Sequence, residues 1–179
     1  LTLSDHLASP APSRAHAAWH RVIHTLTVKY LSLSAHGELN AEDVAKRFAD
    51  SYRWSRGYGP AAAKTLKRIR RGVPWQEANR AIYKDGSLGN GGAMRAPILG
   101  AFFSADRAAL LEAARLGASI THAHPLGVDA SAMIALATAR AMEDPTPDAI
   151  YAHGTVANVL QLLKLLHGYS KHPVADLED

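Results

Sequence analysis

Trp19-His20-Arg21-Val22-Ile23-His24-Thr25-Leu26-Thr27-Val28-Lys29-Tyr30-Leu31-Ser32-Leu33 decides the fold class. Trp19, Val22, Ile23, Leu26, Tyr30 and Leu33 recur with the spacing of one helix face, not with the alternation of a strand. The spacing predicts a helix over 13–36, with Ser13 as N-cap and Gly37 as the stop. A second helix starts at Asn40, with Asp43 three residues on, and carries Val44, Ala45, Phe48 and Tyr52 on one face until Gly57 and Gly59 break it. Pro60 suits the first position of a third helix that runs to Arg71 and stops at Gly72. A short helix fits 74–83. Ser104 caps another that runs to Leu116 and ends at Gly117, and 128–142 reads as helix. So does 147–167, with Thr146 as N-cap, Pro147 at its first position and Gly168 beyond its end. No stretch alternates like a strand with β-branched enrichment, so the expected fold is all-α.

Composition agrees with a globular domain: 179 residues, 47% hydrophobic and 20% charged. The expected organisation is a flexible segment over 1–14, one helical domain over 15–170 and a tail over 171–179. With no cysteine, disulfides and thiolate metal sites are excluded. No apolar run approaches the roughly 18 residues that span a bilayer, and the first 14 residues lack the pattern of a signal peptide. The expectation is a cytoplasmic protein with no membrane partner. A net charge of +4 is only mildly basic; it favours an anionic ligand and does not call for nucleic acid.

The stretch Gly86-Ser87-Leu88-Gly89-Asn90-Gly91-Gly92-Ala93-Met94-Arg95 packs four glycines into seven residues ahead of helix-compatible sequence. Glycine admits positive φ and has no Cβ to block a close approach. A helix starting near Ala93 would add unpaired N–H donors and the positive end of its dipole. These features suit a phosphate cradle, and an ordinary glycine-rich turn is the other reading. No Gly-Lys-Ser/Thr closes the loop as in a P-loop, and no β-branched strand precedes it as in a dinucleotide fingerprint.

Other chemistry-bearing residues carry two readings each. His16, His20 and His24 form a ridge with one-turn spacing on the first helix, either a solvated face or a pair of imidazoles able to share a transition metal. His122 and His124 follow a helix break, where capping and packing compete with ligand contact. Lys64, Lys67, Arg68, Arg70 and Arg71 put five basic residues in eight, a solvated face or a surface for an anionic partner. Arg95 suits either a ligand phosphate or an internal salt bridge.

Three segments, in order, resemble the ADP-ribosylglycohydrolase family, which includes the dinitrogenase-reductase-activating glycohydrolases. They are Arg56-Gly57-Tyr58-Gly59-Pro60, Ser87-Leu88-Gly89-Asn90-Gly91-Gly92-Ala93-Met94-Arg95 and Thr121-His122-Ala123-His124-Pro125-Leu126-Gly127. The resemblance implies an all-α fold and a site for ADP-ribose, carried on ADP-ribosylated protein. It implies ligand contacts from Gly57, Tyr58, Gly59, Ser87, Leu88, Gly89, Asn90, Gly91 and His122, with the glycine loop on the diphosphate. Family members hydrolyse the glycosidic bond with a two-magnesium centre held by acidic segments. The first, Thr-Asp-Asp-Thr, should fall where this chain has His20-Arg21-Val22-Ile23-His24, and no carboxylate lies between Asp5 and Glu38. The second, Asp-x-Asp-Thr, should follow residue 170. Mg²⁺ is therefore expected of the complete family fold and has no visible ligands in this chain, so the fold is expected to be incomplete or completed by a second chain or segment. No catalytic residue is assigned. A metal-free ADP-ribose-binding pseudo-enzyme and a basic helical interaction protein are the alternatives.

Overall fold

The computed structural model describes residues 14–144 and 146, with side chains from residue 24 onward. Among the described residues the chain is all-α, with seven α-helices, two 3-10 turns and no strand. The helices are α1 (Arg14–His36), α2 (Ala41–Asp50), α3 (Pro60–Arg70), α4 (Trp75–Ala78), α5 (Pro97–Phe102), α6 (Arg107–Ser119) and α7 (Pro125–Glu143). The 3-10 turns are Trp54–Arg56 and Ala93–Arg95. The helix expected over 147–167, with its cap at Thr146, and the tail lie outside the described residues.

Local chemistry sets several boundaries where the sequence predicts them. Gly37 ends α1 with φ 72°, a left-handed conformation that few other residues adopt at so little cost. Asn40 caps α2, its Oδ1 accepting from the Asp43 N–H over 3.0 Å. Val44, Ala45, Phe48 and Ala49 then turn one face of α2 inward, and Tyr52 is buried just beyond its end. Pro60 opens α3, where a missing N–H leaves no bond unmade, and Gly72 follows its end with φ 88°.

Tertiary packing overrides other expectations. The buried side of α1 is Thr25, Val28, Lys29, Ser32 and Leu33, whereas Tyr30 from the expected stripe is 51% exposed. The side chains of Trp19, Val22 and Ile23 lie outside the description. The helix expected over 74–83 is only four residues long. Asn79 turns its side chain to the C-terminal end of α6, donating from Nδ2 to Ser119 O over 2.6 Å, and the chain leaves the helical path there.

No α-helix starts at Ala93 either. Pro97 lacks the N–H that would bond to the Ala93 carbonyl, which accepts from Ala96 in a 3-10 turn instead. α6 is capped by Asp106, not Ser104: the Asp106 carboxylate accepts from the Ala108 and Ala109 N–H groups, each over 3.0 Å. Gly117 does not end α6. It lies buried inside the helix, and a Cβ there would sit 2.8 Å from Lys29 Nζ. α7 starts three residues before the expected 128, with His124 as N-cap and Pro125 at its first position.

Val28, Leu33, Val44, Phe48, Leu66, Leu99, Leu110 and Ile120 form the core. Small residues let the later helices approach closely. Ala113, Ala114, Gly117 and Ala118 of α6 are buried, as are Ala132, Ala135 and Ala139 of α7. Ser131 of α7 is buried between the helices and donates to the Ala114 carbonyl over 3.1 Å.

Candidate functional site

The loop before α3, the glycine loop and the turn between α6 and α7 converge on one cavity of about 980 Å³. That volume lies at the upper end of the roughly 300–1,000 Å³ of small-molecule sites. Gly57, Tyr58, Gly59, Ser87, Leu88, Gly89, Asn90, Gly91 and His122 all line it, so the nine residues singled out from the sequence meet in space. Gly57 ends the 3-10 turn with φ 64°, and this left-handed kink brings Tyr58 over to Tyr52, ring centroids 5.3 Å apart. Tyr83, 53% exposed, lines the same cavity.

The glycines of the central loop have different reasons. Gly86 alone among them has a positive φ, 84°, and a Cβ there would lie 2.5 Å from the His124 N. Gly89 and Gly91 face the His122 ring: a Cβ on Gly89 would be 3.2 Å from Nε2, and one on Gly91 would be 2.7 Å from the same atom. Close approach to the imidazole therefore excludes a side chain at Gly91, and the cradle expected from positive φ is confined to Gly86. The loop also spends some donors on itself. Gly89 N–H bonds to Ser87 Oγ over 3.3 Å and Gly86 N–H to the Tyr83 carbonyl over 2.9 Å. Among the described residues, the Asn90 and Gly91 N–H groups have no intramolecular acceptor.

Under the loop lies a polar network the sequence does not announce. Arg95 is 5% exposed, and its Nη2 donates to Thr121 Oγ1 over 2.7 Å. Thr121 Oγ1 is in turn 2.8 Å from His122 Nδ1. The guanidinium lies over the Phe48 ring, with Cζ 5.1 Å from its centroid. From α1, Lys29 Nζ donates to the Arg95 carbonyl over 3.4 Å. The internal salt bridge considered for Arg95 does not form among the described residues.

Burial pushes the pKa of Arg95 down to about 10. Burial, with Arg95 as a second cause, lowers Lys29 well below the ordinary lysine range and takes His122 down to about 3. The sequence offers Arg95 either for a ligand phosphate or for a salt bridge, and Thr121 only as part of a motif. No signal pointed to Lys29, because a lysine on a helix reads as solvated until its neighbours are known.

The remaining candidates fall elsewhere. His124 Nδ1 accepts from the Leu126 N–H over 3.2 Å, so it caps α7 while lining the cavity. His16 and His20 lie outside the described side chains. His24 has its pKa lowered by burial and then by Arg56 and Arg53, a cationic setting that disfavours a metal ion. The basic residues of α3 are exposed to solvent, with Lys67 placed 5.8 Å over the Tyr52 ring.

A glycine loop, a Gly-Tyr-Gly turn and a buried imidazole gathered around one cavity define an all-α domain with a cavity of small-molecule size, and neither P-loop nor Rossmann architecture applies among the described residues. The family model for ADP-ribosylglycohydrolase matches residues 17–176, and the chain belongs to that family. It is 35% identical over 117 residues to the ADP-ribosylhydrolase ARH3 of Gallus gallus, covering 63% of this chain and 32% of that protein. It is 39% identical over 114 residues to the ADP-ribosylhydrolase ARH3 of Danio rerio, covering 59% and 30%. The chain thus spans about a third of the length of these relatives. A 46-residue stretch is 54% identical to the Lon protease of Brucella abortus, but it covers 6% of that protein and carries no argument about fold or function.

Magnesium is the metal the family implies. It takes oxygen ligands in near-octahedral array, with one or two carboxylates among them. Among the described residues no group of three or more His, Cys, Asp and Glu side chains is placed to hold a metal ion. Among those residues the cavity offers one carboxylate, Asp85, beside two imidazoles and the Arg95 guanidinium. These residues do not fit Mg²⁺. No described helix is long and apolar enough to cross a membrane.

Proposed function

We propose that the cavity binds ADP-ribose, with the glycine loop on its diphosphate, and that the whole protein acts in removing ADP-ribose from modified protein side chains by hydrolysis of the glycosidic bond. The observation that carries this reading is the meeting of three separated motifs at one cavity, lined by the His122 imidazole and by Asn90 and Gly91, whose N–H groups have no acceptor among the described residues. Backbone and imidazole donors grouped in this way suit phosphate oxygens, which accept without needing a donor's charge. Tyr58 and Tyr83 add aromatic faces on which a nucleobase can stack. The mildly basic net charge favours the same anionic ligand.

Calorimetric titration of the protein with ADP-ribose tests this. Saturable binding is expected, weakened about tenfold or more in His122→Ala. A folded protein that gives no heat with ADP-ribose overturns the reading. A second reading, recognition of ADP-ribose without hydrolysis by these residues, is favoured by the donor set of the cavity, which has cations and imidazoles where a magnesium centre needs carboxylates.

A further inference from the structure

Thr121 stands between two groups with opposite needs. Arg95 approaches its Oγ1 as a donor from 2.7 Å, and His122 Nδ1 lies 2.8 Å away on the other side. All three side chains are buried, with Thr121 3% and His122 7% exposed. A guanidinium has only hydrogens to give, whereas a hydroxyl has one hydrogen and can accept twice. The Thr121 hydroxyl has no third partner among the described residues. Were Nδ1 protonated and aimed at Oγ1, that oxygen would accept from both sides, and the hydroxyl hydrogen would be stranded in buried surroundings. The proton count closes in one way. Arg95 donates to Thr121, Thr121 donates to Nδ1, and the imidazole hydrogen sits on Nε2.

We propose that Arg95 and Thr121 are positioning residues that fix His122 as its Nε2–H tautomer, so that the cavity presents a neutral imidazole donor to an anionic oxygen of the ligand. Nε2 is the ring atom that faces Gly89 and Gly91, and it has no intramolecular partner among the described residues. Asn90 and Gly91, whose N–H groups have no acceptor among the described residues, line the same cavity as that ring. A hydrogen on Nε2, added to the Asn90 and Gly91 N–H groups of the same cavity, suits an oxyanion and disfavours a ligand that offers an N–H to Nε2. Arg95 is itself held from both sides, by the Phe48 ring against its guanidinium and by Lys29 Nζ on its carbonyl. The identity of the oxyanion as a diphosphate rests on the ADP-ribose reading; the tautomer does not.

The test is a long-range ¹H–¹⁵N spectrum of the ligand-free protein labelled with ¹⁵N-histidine, at neutral pH, with His122 assigned by its loss in His122→Gln. An unprotonated Nδ1 and a protonated Nε2 are expected. A protonated Nδ1 with a bare Nε2, or an imidazolium, overturns the proposal. In Thr121→Val, which keeps the shape and removes the hydroxyl, the His122 tautomer is expected to shift toward Nδ1–H, with ADP-ribose affinity falling about tenfold. Thr121→Ser is expected to keep the Nε2–H tautomer and to hold affinity within about twofold. An unchanged tautomer in a folded Thr121→Val protein overturns the relay, and if that variant does not fold the wild-type spectrum still decides. An Nε2–H tautomer in a protein that does not bind ADP-ribose leaves the relay standing and removes the ligand reading alone.

Discussion

At neutral pH the His122 imidazole is uncharged, because burial and then Arg95 bring its pKa down to about 3. In the unfolded chain a histidine titrates near pH 6.5. Between about pH 6.5 and 3 the unfolded state takes up a proton that the folded state refuses, so His122 makes stability fall as the pH drops through this window. The slope is up to about 1.4 kcal/mol per pH unit, and above 6.5 the residue has no such effect. Urea unfolding across that range should show a shallower acid loss for His122→Asn than for the wild type; equal slopes would remove His122 as the source. Lys29 has the same sign at higher pH. Its amine is fully buried against Gly117, with the Arg95 carbonyl as its acceptor and no carboxylate paired to it among the described residues. Unfolding lets it charge freely up to about pH 10.4, so stability rises with pH wherever the native amine has already lost its proton. Lys29→Met removes the buried cation and keeps the volume, and is expected to raise the melting temperature at pH 7 by the equivalent of about 1 kcal/mol or more. A lower melting temperature would show that the ammonium has a partner worth more than its desolvation.

Helix ends separate what neighbours along the chain decide from what distant elements decide. Asp106 closes two orphan N–H groups of α6, so Asp106→Ala is expected to cost about 1 kcal/mol in urea unfolding, while Ser104→Ala stays within about 0.5 kcal/mol. The reverse order would restore Ser104 as the cap. The ends at Gly37, Asn40, Pro60 and Gly72 are legible because each is set within a turn or two of sequence. Gly117 is not, since a glycine after an apolar run reads as a stop until Lys29 of α1 is known to need the space. The buried side of α1 is misread for a related reason. Tyr30 fits an apolar stripe on paper, but Thr25 lines the cavity, Lys29 meets Gly117 of α6, and Ser32 is buried with them. α4 ends early because Asn79 bonds to a carbonyl 40 residues away, which no local pattern foretells.

Across the whole molecule, motif order makes the cavity legible while its wiring stays hidden. The three motifs announce their residues, and the fold brings all nine of them to one cavity. The Arg95–Thr121–His122 chain and its support from Lys29 depend on contacts between α1, the glycine loop and the turn before α7, which appear only once those elements pack. The same network bears on catalysis. A two-metal centre works by holding oxygens between cations and lowering the pKa of a bound water, yet among the described residues this cavity is lined by one carboxylate, two imidazoles and a buried guanidinium. Two Mg²⁺ ions beside Arg95 would meet repulsion with too few anionic ligands to offset it. The expected outcome is that this chain binds ADP-ribose equally well in Mg²⁺ and in chelator, and releases no ADP-ribose from modified protein in a magnesium-dependent manner. Calorimetry checks the first half, and assay of free ADP-ribose from an ADP-ribosylated protein, with Mg²⁺ or with chelator, checks the second. Turnover that appears with Mg²⁺ and vanishes with chelator would mean that carboxylates outside the described residues reach this cavity, and that Lys29 and Arg95 face them as counter-ions.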